Sequence, residues 1–174
     1  MVKIINEEVV YAESKIVLVD QVDLAELKQK SLGNKRGRIR LCAHQDVNDR
    51  IHEMIIVHAK EAYVRPHKHL NKCESLHVIE GIADMVIYDE NGVISDAFRL
   101  GDDRSGHKFY CRMSEPIYHN LFIRSEHFVF HEVTSGPFDR RETVFAPWAP
   151  TEEDQPAREK YIERVKNEIL RRIK

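Results

Sequence analysis

A chain of 174 residues is sized for one compact domain, and its net charge of -2 leaves no electrostatic footprint for nucleic acid. Hydrophobic residues at 42% and charged residues at 32% exclude a disordered or fibrous composition. The apolar runs are too short to span a bilayer, and the start MVKIINEEVV is acidic where a secretory signal would be apolar. Cys42, Cys73 and Cys111 are scattered without a CxxC pair, so a reduced, cytoplasmic setting without a membrane partner is expected.

Taken along the chain, residues 1–35 form an N-terminal extension with a short β-prone piece, Ile16–Val19, and a helical run, Asp23–Leu32, stopped by Gly33-Asn34. A β-rich domain then spans 36–150. Its predicted strands are Ile39–Ala43, His52–His58, Tyr63–His67, Ser75–Glu80, Ile82–Tyr88, Val93–Phe98, Lys108–Met113, His119–Arg124 and Phe128–Val133. Turn signals separate them, Asn91-Gly92 being the hairpin type that tolerates positive φ. Many short strands at regular spacing predict an all-β barrel or sandwich. Residues 151–174 carry Tyr161, Val165 and Ile169 at every fourth position, which predicts an amphipathic C-terminal helix from Pro156 onward.

The segment YVRPHKHLNKCESLHVIEG, Tyr63 to Gly81, holds the chemistry. On a strand, His67 and His69 share a face; Glu74 opens the next strand after a turn through Leu70–Cys73. Far downstream, His119 follows a turn marked by Pro116. An HxH pair alone is commonly just a partly exposed pair of histidines. The H-x-H-x4-E-x6-G spacing inside a β pattern, joined by a later histidine, instead points to a divalent metal held by His67, His69, Glu74 and His119. Three imidazoles and one carboxylate suit Fe, Mn, Ni or Zn and leave positions open on a metal that takes five or six ligands.

That string, with its distant histidine, resembles the two characteristic motifs of the cupin superfamily. Glu61 stands where the first motif usually opens on glycine, and Ser114 and Pro116 replace the proline and glycine of the second. RIRLCAH (Arg38–His44), HEMII (His52–Ile56), GPFD (Gly136–Asp139) and FAPWAP (Phe145–Pro150) extend the likeness over roughly residues 36–153. Together they resemble the WbuC family of cupin fold metalloproteins, encoded in bacterial O-antigen and other surface-polysaccharide gene clusters. The resemblance implies a single cupin jelly-roll barrel, a metal centre, and work in polysaccharide or nucleotide-sugar biosynthesis. Its small-molecule partner would be a carbohydrate or sugar phosphate. A homodimer is expected from family habit and from the amphipathic helix.

Other residues are assigned by strand parity. Arg40 and Arg65 are expected to face inward and to bind a substrate carboxylate or phosphate. Tyr63, His44 and Glu53 are candidate proton-transfer groups. Trp148, between Pro147 and Pro150, is read as an anchor for the C-terminal segment. The leading functional expectation is a metal-dependent isomerase or epimerase acting on a sugar derivative. A non-heme iron oxygenase and a non-catalytic sugar-binding cupin are the alternatives.

Overall fold

The computed structural model describes residues 2–173. β1 (Val2–Asn6) and β2 (Val9–Ala12) form a hairpin, followed by α1 (Gln21–Leu32). Next come β3 (Arg38–Cys42), β4 (Ile51–Ala59), β5 (His67–His69), β6 (Glu74–Glu80), β7 (Ile82–Tyr88) and β8 (Ile94–Gly101). The chain continues through β9 (Tyr110–Met113), β10 (Tyr118–Ile123), β11 (His127–Ser135) and β12 (Thr143–Phe145) to α2 (Gln155–Arg172).

One sheet runs β1-β2-β3-β4-β11-β6-β9, the other β12-β5-β10-β7-β8. From β4 onward the chain crosses between sheets at every step except β7 to β8, so that β4-β11-β6-β9 face β5-β10-β7-β8. That order is a jelly roll, the small barrel of the cupin type. Period-two alternation decides which side chains enter it. From the first sheet Met54, Ile56, Leu76, Val78, Phe128 and Phe130 point inward to meet Met85, Leu121 and Leu100 of the second. The opposite parity is apolar as well where a helix covers the back of a sheet.

α1 covers the seven-stranded sheet, with Leu24 and Leu27 packed on Ile39, Leu41, Val57 and Val129. Its start is a capping box: Asp20 accepts from the backbone N–H groups of Val22 and Asp23, and the Asp23 carboxylate accepts from the Asp20 N–H. Asp20, not Asp23, is thus the cap. α2 lies on the five-stranded sheet through Tyr161, Val165 and Ile169, each almost fully buried. Burying aliphatic side chains of that size stabilises by about 1.5–3 kcal/mol apiece.

Within the expected N-terminal extension, β1 and β2 add to the first sheet, and β2 pairs parallel with β3. Two sequence expectations shift. Ile16–Val19 forms no strand and is largely exposed. The strand expected at Tyr63–His67 begins only at His67. Pro66 has no N–H to give a ladder and restricts Arg65 before it, so pairing starts one residue later. Gly81 is required as such: at φ +89 it links β6 to β7, and a Cβ there would stand 2.2 Å from the His127 carbonyl oxygen.

Candidate metal centre

β5 lies between β12 and β10, with His67 directly opposite His119 on one side and Phe145 on the other. Same-face parity then brings His67, His69 and His119 onto the inner surface of one sheet. Their ring centroids are 4.7 Å (His67–His119), 5.0 Å (His67–His69) and 6.1 Å (His69–His119) apart. One ligand atom from each ring lies within 4.8 Å of the others, which is the spacing a shared metal ion requires. Glu74 reaches in from the facing sheet. Its Oε1 is 2.9 Å from His119 Nε2 and its Oε2 is 3.3 Å from His69 Nε2. The turn that delivers it, Leu70–Cys73, includes Asn71 at φ 56, a left-handed conformation asparagine tolerates better than most residues.

The hydrogen bonds behind the rings settle which nitrogen points inward. His67 Nδ1 lies 2.9 Å from the Arg65 carbonyl, and His119 Nδ1 lies 2.9 Å from the Ile117 carbonyl. A carbonyl can only accept, so both Nδ1 atoms carry a proton and both Nε2 atoms face the common point. His69 Nδ1 sits 3.2 Å from Thr143 Oγ1, held from β12. Backbone and hydroxyl partners on the outer nitrogens are what orient metal-binding imidazoles. The donor set therefore fits a divalent cation: three imidazoles that converge on one point and one carboxylate beside them.

The electrostatics agree with that fit. Burial, with the charges of His119 and His69, pulls the His67 pKa down to about 3, so its ring stays neutral. For His119 burial acts downward too, but the hydrogen bond to Glu74 and that carboxylate's charge reverse it, and the net direction is up. Burial would raise Glu74, yet its bonds from His119 and His69 hold it well below the usual carboxylate range. Glu74 and His119 thus each favour the other's charged form.

The remaining predicted residues divide. Arg40 is on the inward parity of β3, beside Cys42, and faces the barrel interior. Tyr63 is not in the barrel: its hydroxyl donates to the Pro150 carbonyl at 3.0 Å and its ring packs with Tyr161 under α2. The parity argument fails there because Tyr63 precedes Pro66 and is not on a strand. Arg65 turns to β12 instead, donating to the Ala146 carbonyl at 3.1 Å and stacking over Phe145. Glu53 points outward from β4, is exposed, and faces His131 at 4.0 Å. His44 stacks on His52 with centroids 4.0 Å apart and lies 3.1 Å from the Glu53 carbonyl through Nδ1, outside the converging set.

Two inward residues were not singled out from sequence. Glu132, two along β11 from Phe130, points into the barrel, and burial together with the charge of Glu74 raises its pKa to about 7. His58, two along β4 from Ile56, is buried against Phe130. A carboxylate on the apolar parity of Phe128-Val129-Phe130-His131-Glu132 was the available signal for the first. Open depressions on the surface lie elsewhere, one along α2 at Arg164–Arg172 and one beside α1 at Lys28 and Glu80.

Fold and site together define a jelly roll of cupin type with a three-histidine, one-glutamate cluster inside it. Residues 19–100 match a family model described as a domain of unknown function (DUF6016). No curated protein matches. Among solved structures, a mutant of Bacillus subtilis oxalate decarboxylase aligns at 19% identity and TM-score 0.45, over 57% of this chain and 25% of that one. A procruciferin, the 11S globulin of Brassica napus, aligns at 16% identity and TM-score 0.43, over 55% of this chain and 22% of that one. A Shewanella oneidensis protein aligns at 10% identity and TM-score 0.47, covering 59% and 66% of the two chains. This chain spans about a quarter of the length of the first of these. No chemistry passes from such distant likenesses. No helix among the described residues is long and apolar enough to cross a membrane.

Proposed function

We propose that this protein is a metal-dependent cupin of the WbuC type, an isomerase or epimerase acting on a carbohydrate or sugar phosphate in surface-polysaccharide or nucleotide-sugar biosynthesis. The observation that carries the metal-dependent reading is the convergence of His67, His69 and His119 with Glu74 across the two sheets. The sugar derivative and the pathway rest on the sequence resemblance. A divalent ion held there would supply Lewis acidity to a carbonyl or hydroxyl oxygen of the substrate. The chain itself supplies the rest. His67 and His119 are oriented by backbone carbonyls before any ligand arrives, so little reorganisation is needed. Glu132, on the inner face, is a carboxyl group able to hold or return a proton beside the substrate. Met85, Leu100 and Phe128 are almost fully buried in the apolar core of the barrel.

Nucleotide sugars and phosphosugars incubated with protein loaded with Mn, Fe, Ni or Zn form the test. Metal-dependent interconversion of one of them is expected, and it should vanish in His69→Ala. Oxygen uptake by the iron-loaded protein without interconversion would replace this reading by the oxygenase one. Saturable sugar binding that survives His69→Ala would point to a non-catalytic binding protein.

A further inference from the structure

Arg40, on β3, lies directly across from Ile56 of β4, which lies across from Phe130 of β11. His58 is two residues along β4 from that row in one direction, and Glu132 two along β11 in the other, all on the inward parity. Arg40 makes no side-chain hydrogen bond and no ion pair among the described residues. The Arg40 guanidinium is half-buried and, among the described residues, answered by no protein group, so it is free to take an anion from solution. His58 is also unpartnered: it is only 7% exposed, and its Nδ1 is buried without a hydrogen bond. Native interiors rarely leave such groups unsatisfied without a role for them.

These groups are coupled electrostatically to the metal cluster. His58 feels the positive charges of Arg40 and His67, while Glu132 feels Arg40, Glu74, His69 and His119. Arg40 and Glu132 are nevertheless not within ion-pair distance of each other, although both remain partly open to solvent. A cation and a carboxylate on the inward parity of one sheet that do not close on each other leave room for a ligand that answers both.

We propose that Arg40, His58 and Glu132 form a subsite beside the metal cluster for a small hydroxy-anion. Its carboxylate or phosphate group is held by Arg40 and His58, and a hydroxyl is turned toward Glu132 and the metal. The guanidinium fork matches either oxyanion. Glu132 would repel a second negative group at its end, which restricts that end to a hydroxyl. The inference rests on the reading of the neighbouring cluster as a reaction centre and narrows its substrate to an acid or phosphate of a polyol.

Titration of the full chain with glycolate, inorganic phosphate and neutral ethylene glycol, followed by calorimetry and by the Arg40 Nε–H resonance, tests it. Saturable binding of glycolate or phosphate, and none of ethylene glycol, is expected. The anion that binds more tightly identifies the carboxylate or the phosphate as the recognised group. Arg40→Gln should weaken binding at least 10-fold, and Arg40→Lys less, with metal content unchanged in both. Absence of binding by both anions, or equal binding by Arg40→Gln, overturns the subsite. If Arg40→Gln fails to fold, the wild-type Arg40 resonance decides: no shift on adding either anion overturns it. Metal content measured on the wild type and on His69→Ala reports separately on the cluster. Anion binding without metal uptake would leave the subsite standing and defeat the metal reading.

Discussion

Glu74 Oε1 stands 2.9 Å from His119 Nε2, and this contact ties the two sheets of the barrel together at its polar end. All three histidines come from the five-stranded sheet and the carboxylate alone from the seven-stranded one. The cluster therefore exists only once both sheets have packed. Metal bound there would stabilise the closed barrel by mass action, since the unfolded chain offers no such site.

Metal binding should release a proton. Glu74 holds the His119 pKa above its ordinary value in the metal-free protein, and a proton on Nε2 must leave before that nitrogen can coordinate. Affinity should fall as pH drops below neutral, and the calorimetric enthalpy should depend on the buffer's ionisation enthalpy. A buffer-independent enthalpy would contradict the His119–Glu74 assignment.

Thr143→Val should weaken metal binding without unfolding the protein. Thr143 Oγ1 lies 3.2 Å from His69 Nδ1 and orients that ring from β12. Loss of such an outer partner typically costs about 10- to 100-fold in metal affinity. Competition against a chromophoric chelator would measure it, and unchanged affinity would remove Thr143 from the centre.

Acid should destabilise the metal-free protein through His58. Burial, with Arg40 nearby, lowers its pKa from 6.5 to about 3. The unfolded chain takes up that proton first, so stability is lost as pH falls from 6.5 toward 3. Between pH 7 and 5 this group should account for a loss on the order of 1–2 kcal/mol. Thermal melts of His58→Gln should show a smaller drop over the same interval than wild type.

Tyr88→Phe should loosen α2. Tyr161 donates to the Tyr88 hydroxyl at 2.8 Å, which donates to Asn120 Oδ1 at 2.9 Å, all three side chains being buried. Removing the central hydroxyl strands its partners, at about 1–3 kcal/mol. For a chain of this length each kcal/mol moves Tm by roughly 2–4 °C. An unaltered Tm would mean that the relay adds nothing beyond packing.

Gly92→Ala should be destabilising by about 2 kcal/mol. Gly92 has φ +83, and an added Cβ would come within 2.6 Å of the Trp148 indole, which packs in turn against Tyr88 and Tyr118. Chemical denaturation of the variant measures the cost, and an unchanged midpoint would show that the hairpin can shift away from the indole.

Local signals carried a great deal. Alternation marked most of the strands because each is apolar where it meets the barrel, and Asn91-Gly92 marked its hairpin because few other pairs accept that backbone. The spacing from His67 through His69 to Glu74 was legible since both strands are short and one turn joins them. The anchoring role of Trp148 was legible too, its flanking prolines leaving it little freedom to do otherwise.

Alternation says which residues share a face but not what covers that face. Apolar side chains lie on both faces wherever a helix covers a sheet, as Leu41 and Val57 do under α1 and Val86 does under α2, so apolar parity did not distinguish inside from outside. Tyr63 and Arg65 were assigned to the cavity by extending β5 backward through Pro66, where the ladder has not begun. Glu53 was placed near the metal although it sits on the outward parity of β4. Conversely, Glu132, His58 and Thr143 acquire meaning only from register with strands far away in the chain, because a side chain's chemistry depends on neighbours that folding alone supplies.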